Sequence, residues 1–166
     1  MTWTKEKIHD LVESQRDFFL SNQTLDVNWR IDQLARLKLA ILANEKELEE
    51  AMGKDLGRTK EEAYLIDIGP SLMAISEMIA GIKKWAKPET HFSGMTCFPS
   101  VLTKVYKMPY GVSLIISPFN FPILLTFGVL AASISAGNTA VLKVSSKSVN
   151  CTKVIQKIIS TSFPEN

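Results

Sequence analysis

The chain has 166 residues, enough for one domain with a real core. Its 19 basic and 17 acidic residues leave a formal charge of +2 without a block of like charge, which argues against nucleic acid or an anionic membrane as the main partner. At 22% charged residues the composition is globular rather than disordered. Two cysteines, Cys97 and Cys151, lie far apart with no C-x-x-C spacing, which fits a reducing compartment better than a disulfide framework. The N-terminus lacks a signal-peptide core, and the longest apolar segment, about 121–134, is short and holds Gly128 and Ser133. The expectation is a cytoplasmic protein without a membrane span.

Residues 4–20 place Ile8, Leu11, Val12, Phe18 and Phe19 at helical spacing and predict an amphipathic helix, broken at Ser21, Asn22 and Gln23. Asp26 or Asn28 is the expected cap of a second helix with Ile31, Leu34, Leu37, Ile41, Leu42, Leu48 and Met52 on one face, ending near Gly53. Asp55, Leu56 and Gly57 read as a turn. Thr59 and Glu62 form a capping box for a third helix with Tyr64, Leu65, Ile68, Leu72, Ile75, Ile79, Ile82 and Trp85 inward. Pro70 inside that helix predicts a kink. Residues 88–99 read as a linker-like loop, and 102–107 alternate as a strand wet on one face.

The chain is organised around residues 110–145. Val112–Ile116 is a short β-branched run bounded by Gly111 and Pro118 and reads as a strand buried on both faces, as in parallel sheets. Pro122 suits the first position of a helix that Gly137 and Asn138 close. Residues 139–144 make a second buried strand, and residues 150–161 a last helix burying Val154, Ile155, Ile158 and Ile159. Residues 163–166 begin a loop. The fold class is therefore α/β: N-terminal helices, then a β-α-β-α unit of a parallel, Rossmann-like sheet. Residues 1–87 form a helical region, 88–110 a loop and exposed strand segment, and 111–166 the first, incomplete part of the parallel sheet. Two parallel strands leave bare edges, so the expectation is the N-terminal part of a larger fold.

Pro118-Phe119-Asn120-Phe121-Pro122 followed by Gly137-Asn138-Thr139-Ala140-Val141-Leu142-Lys143 resembles the aldehyde dehydrogenase superfamily, with its P-W-N-[YF]-P and G-N-x-x-[VL]-L-K-P-S-E motifs at this separation. The two motifs in this order are far more specific than either alone, and the upstream helices extend the likeness over nearly the whole chain. The short-N-terminus branch with the fatty and aromatic aldehyde dehydrogenases is the most similar.

Asn120 is the sharpest candidate for chemistry. A side-chain amide just past a parallel strand stands where open α/β sheets place ligands, and its NH₂ donates without needing a charge. The alternative is a turn-fixing Asn bonded to its own backbone. The resemblance implies that Asn120 donates to the oxyanion of a thiohemiacetal on a catalytic Cys. It also implies that backbone around Ser117, Pro118 and Phe119 lines the nicotinamide half of NAD or NADP, and that Lys143 contacts the adenosine ribose. Without the resemblance, Lys143 reads equally well as a snorkelling lysine. Where the family has Lys-Pro-Ser-Glu, this chain has Lys143-Val144-Ser145-Ser146. Ser146 replaces a carboxylate that would repel a 2′-phosphate, so NADP is expected to be tolerated or preferred. Phe119 replaces the commoner Trp.

Neither Cys97 nor Cys151 matches the position of the family nucleophile, and each reads as structural, although Cys151 near a helix N-terminus could have a lowered pKa. His9 and His91 form no ligand set, so no metal is expected. The resemblance implies a complete protein that oxidises an aldehyde to a carboxylic acid and assembles as a homo-oligomer through a protruding strand segment, which 102–107 would join. On that reading this chain alone lacks nucleophile and base. The alternative is a non-catalytic remnant that serves as an interaction module. Reading the coding sequence past Asn166 separates the two.

Overall fold

The computed structural model describes residues 3–99 and 102–163. Three helices open the chain: α1 (Lys5–Leu20), α2 (Val27–Ala43) and α3 (Glu45–Leu56). Thr4 caps α1 by accepting from the Lys7 N–H, and Asp26 caps α2 by accepting from the Asn28 N–H. The single second helix expected from the sequence is in fact two. Asn44 interrupts it with φ −111° and ψ 15°, and its side-chain NH₂ donates to the Ala40 carbonyl at 2.8 Å. A short amide side chain that competes for backbone carbonyls breaks a helix in this way. Asp55 and Leu56, read as a turn, belong to α3, which stops at Gly57 with φ +68°.

The capping box is present: Thr59 accepts from the Glu62 N–H while the Glu62 carboxylate accepts from the Thr59 N–H. It opens α4 (Lys60–Ala63), a π-helical turn (Tyr64–Ile68) and α5 (Gly69–Trp85), one continuous helical rod. The proline kink is thus taken up by a π turn. The Gly69 N–H bonds the Tyr64 carbonyl, widening the rod by one residue just ahead of the Pro70 ring. This rod is long and apolar enough to cross a membrane, yet Ala63, Ile68, Leu72, Ile75 and Ile82 are buried in the protein. Tyr64 and Leu65, expected inward, are exposed because the π turn shifts the helical phase around them, and Trp85, also expected inward, is exposed at the C-terminal end of α5.

Part of the expected 88–99 loop is a strand. β1 (Glu89–Phe92) pairs antiparallel with β2 (Leu102–Val105), Glu89 opposite Val105 and Phe92 opposite Leu102. The expectation of one sheltered face also fails: apart from the half-buried Thr103 the hairpin is exposed on both sides.

β3 (Val112–Ile116) and β4 (Thr139–Lys143) pair in parallel, Val112 beside Thr139 and Ile116 beside Lys143. Between them lie a π-helical turn (Leu124–Gly128) and α6 (Val129–Ala136), and α7 (Val149–Ser162) follows β4. This is the expected β-α-β-α order. The Leu125 N–H bonds the Phe121 carbonyl, so Pro122 sits in the first turn, and Gly137 closes α6 at φ +91°. The end of the last helix is as expected, and the loop read beyond Phe163 lies outside the described residues.

One core joins the helices to the sheet. Leu34, Leu37, Ile41, Leu48, Met52, Ile68 and Ile75 pack with Ile115, Ile123, Phe127, Ile155 and Ile158. Ser113 faces it and bonds the Ser133 hydroxyl at 2.7 Å. The other face of the sheet corrects the expectation of burial on both sides: Leu114 is 63% and Ile116 67% exposed. α1 contacts both strands, and at the start of β4 Thr139 Oγ1 donates to the Gln15 carbonyl. A short apolar run looks the same in sequence whether one or both faces are covered.

α3 and α7 are tied by Asp55. Its carboxylate accepts from the Asn150 N–H at 3.2 Å, the Asn150 side-chain NH₂ at 2.7 Å and the Cys151 N–H at 2.8 Å. It therefore caps a helix whose own Ser148 makes no cap bond. Burial opposes ionisation of Asp55, but these three donors outweigh it and hold the carboxyl below its ordinary pKa. A folded-state pKa below the unfolded one contributes stability that is complete above the unfolded value, about 3.9, and is lost as pH falls through the folded value. Asp55→Asn should therefore cost about 1.5–3 kcal/mol at neutral pH, a typical worth for hydrogen bonds to a charged group. Urea titrations should show that difference constant above about pH 5 and shrinking below about pH 4.

Candidate functional site

The C-terminal ends of β3 and β4 share one edge, where parallel sheets present their ligand-binding loops. The Ser117 N–H donates to the Lys143 carbonyl at 3.0 Å, extending the pairing by one residue before the chain turns. Ser117 itself is buried. Its Oγ lies 2.8 Å from Thr126 Oγ1, which also bonds the Pro122 carbonyl. With N–H and hydroxyl both used internally, Ser117 can meet a ligand only through its carbonyl. Pro118, Phe119 and Asn120 are exposed.

Asn120 is held by its backbone. Arg58 Nη2 donates to the Asn120 carbonyl at 2.8 Å, while Arg58 Nη1 donates to Asp67 Oδ2 at 2.6 Å. The other Asp67 oxygen accepts from the Leu124 N–H, and the Arg58 guanidinium lies 5.2 Å from the centre of the Phe121 ring. The side-chain amide of Asn120 makes no hydrogen bond among the described residues, so the turn-fixing alternative is not what the geometry shows.

Lys143 ends β4 on the open face beside Ile116, and Ser146 is exposed just beyond it. Lys147 Nζ stands 5.2 Å from the centre of the Phe119 ring and links the β3 loop to the β4 loop. Neither Lys143 nor Lys147 pairs with a carboxylate among the described residues. The edge thus carries two ammonium groups without a carboxylate partner among the described residues, an aromatic ring, a hydroxyl and an exposed amide, beside the exposed Leu114 and Ile116. That set fits an elongated anionic, aromatic ligand such as a dinucleotide.

Arg58, Asp67 and Lys147 were not singled out in the sequence. Asp67 did leave a signal: a carboxylate flanked by Ile66 and Ile68 in an apolar helix needs a buried cation. Cys151 is fully buried, and burial first, then the neighbouring Asp55, pushes its thiol well above the ordinary range. This overturns the option of a lowered pKa: the α7 N-terminus is already occupied by the Asp55 carboxylate. No group of histidine, cysteine and carboxylate side chains among the described residues could hold a metal ion.

Residues 1–166 match the profile of the Aldehyde dehydrogenase family throughout. The chain belongs to that family. It is 38% identical over 168 residues to the 4,4′-diaponeurosporen-aldehyde dehydrogenase of Staphylococcus aureus, covering 100% of this chain and 35% of that protein. It is 36% identical over 170 residues to the fatty aldehyde dehydrogenase HFD1 of Saccharomyces cerevisiae, covering 96% of this chain and 32% of that one. The substrate-bound structure of Staphylococcus aureus AldH superposes with a TM-score of 0.92 at 36% identity, over 99% of this chain and 35% of that chain. The fold described above is thus that of the N-terminal part of aldehyde dehydrogenases, and the chain spans 32–35% of the length of these relatives.

With Cys97 replaced by Ser, native protein at neutral pH should resist a thiol-specific reagent for hours and take up one label per chain only in denaturant. Rapid native labelling of Cys151 would show the thiol to be exposed and ionised.

Proposed function

We propose that the chain is the N-terminal part of an NAD(P)-dependent aldehyde dehydrogenase that oxidises an aldehyde to a carboxylic acid through a Cys thiohemiacetal. The observation that carries this reading is the outward, unbonded amide of Asn120 on the same sheet edge as Lys143. A neutral donor held in advance needs no reorganisation when negative charge develops on the aldehyde oxygen. Lys143 and Ser146 would hold the adenosine end of the cofactor, with Pro118 and Phe119 beside its nicotinamide half. Bound there, the nicotinamide supplies the hydride acceptor. Neither cysteine of this chain serves as nucleophile on this reading: Cys151 is inaccessible and Cys97 lies outside the matching motifs. The nucleophile and its activating Glu belong to the part of the relatives that this chain does not span.

The exposed β1–β2 hairpin supports a homo-oligomer, since Phe92 and Val105 offer exposed apolar side chains to a partner. The absence of a disulfide framework in the sequence suits a cytoplasmic setting.

Two substitutions in the full-length enzyme test the assignment. Asn120→Ala should lower kcat by ~10²–10³ with little change in the KM for cofactor, as expected for one oxyanion donor. Ser146→Glu should move the ratio of kcat/KM for NADP over NAD toward NAD by about tenfold or more, because a carboxylate repels a 2′-phosphate. Full activity in Asn120→Ala would refute the role of the amide, and an unchanged cofactor ratio would refute that of Ser146.

A further inference from the structure

We propose that Arg58 and Asp67 are positioning residues that aim the Asn120 amide at the reacting aldehyde oxygen. This rests on the reading of Asn120 as oxyanion donor. The guanidinium sits at the centre of the arrangement. One nitrogen bonds Asp67 at 2.6 Å, another bonds the Asn120 carbonyl at 2.8 Å, and its face covers Phe121. The two bonds use the fork of an arginine, which a lysine cannot reproduce.

Asp67 completes the clamp from the other side. It is fully buried, one carboxylate oxygen on Arg58 and the other on the Leu124 N–H. The peptide group after Asn120 and the first turn of the following helix are therefore both referred to one carboxylate. Asp67 is itself fixed within the Tyr64–Ile68 π turn, where the Ser71 hydroxyl donates to its carbonyl at 2.7 Å. Fixing the carbonyl of residue 120 and the helix start at 124 leaves the Asn120 Cα–Cβ direction little freedom. The side chain points outward, with no protein partner to hold its amide among the described residues. Its aim depends on the backbone beneath it, and an oxyanion donor displaced by about an ångström forfeits most of its effect.

The test is a double-mutant cycle in the full-length enzyme, comparing Arg58→Lys, Asn120→Ala and the pair. Arg58→Lys should lower kcat about tenfold or more with the cofactor KM unchanged. In the Asn120→Ala background the same change should have no further effect, because there is no amide left to aim. If Arg58→Lys does not fold, Asp67→Asn, which keeps an oxygen for the Leu124 N–H, takes its place in the cycle. A loss in kcat that multiplies with that of Asn120→Ala overturns the inference while sparing the oxyanion role. Undiminished kcat in the Arg58 variant also overturns it. Full activity in Asn120→Ala alone sinks both readings.

Discussion

An ion pair between the half-buried Arg58 and the buried Asp67 joins the two halves of the structure. Arg58 follows the Gly57 turn that ends α3, and Asp67 lies in the helical rod, so both belong to the helical region. Each also bonds the sheet region, Arg58 at the Asn120 carbonyl and Asp67 at the Leu124 N–H. Taking both charges out of water carries a penalty of several kcal/mol, which such a pair repays only when its other hydrogen-bonding groups are also satisfied. Here the Asn120 carbonyl and the Leu124 N–H, from the segment that carries the candidate amide, supply one such bond to each partner. The arrangement is better understood as specifying a conformation than as a source of net stability. The apolar core formed by α2, α3, α5, α6 and α7 supplies stability without fixing the turn to within an ångström.

The π turns belong to the same constraint. One places Asp67 inward in a helix that must also accommodate Pro70, and the other begins at Leu124, whose N–H bonds that carboxylate. An extra residue in a helical turn rotates the side chains that follow by roughly a quarter-turn, about 100°. Such a rotation lets one rod bury Asp67 and Ile68 while leaving Tyr64 and Leu65 in solvent.

Much of this was legible in the sequence where the cause is local. The Thr59–Glu62 capping box, the Gly137 helix end and the parallel pairing of β3 with β4 follow from residue types at fixed short spacings. Asn120 and Lys143 were singled out as candidates through two motifs whose joint spacing is specific. What stayed hidden depends on separation. Arg58 meets Asp67 across nine positions and Asn120 across 62, and neither contact has a periodicity to betray it. Asn44 looked like one more polar residue on a long amphipathic helix until its side chain was seen bonding the Ala40 carbonyl. The open face at Leu114 and Ile116 was hidden because hydrophobicity reports what a strand tolerates beside it, not what this chain provides.

The sheet edge gives the account its functional content: an exposed amide in the loop after β3 and a lysine at the end of the neighbouring β4. The most direct measurement is a crystal structure of the full-length enzyme with its nicotinamide cofactor bound. It should place the Lys143 ammonium within about 3 Å of the adenosine ribose, with the Asn120 amide facing the nicotinamide end. A cofactor bound at another edge of the sheet, or an Asn120 amide turned back onto its own backbone, would contradict the account.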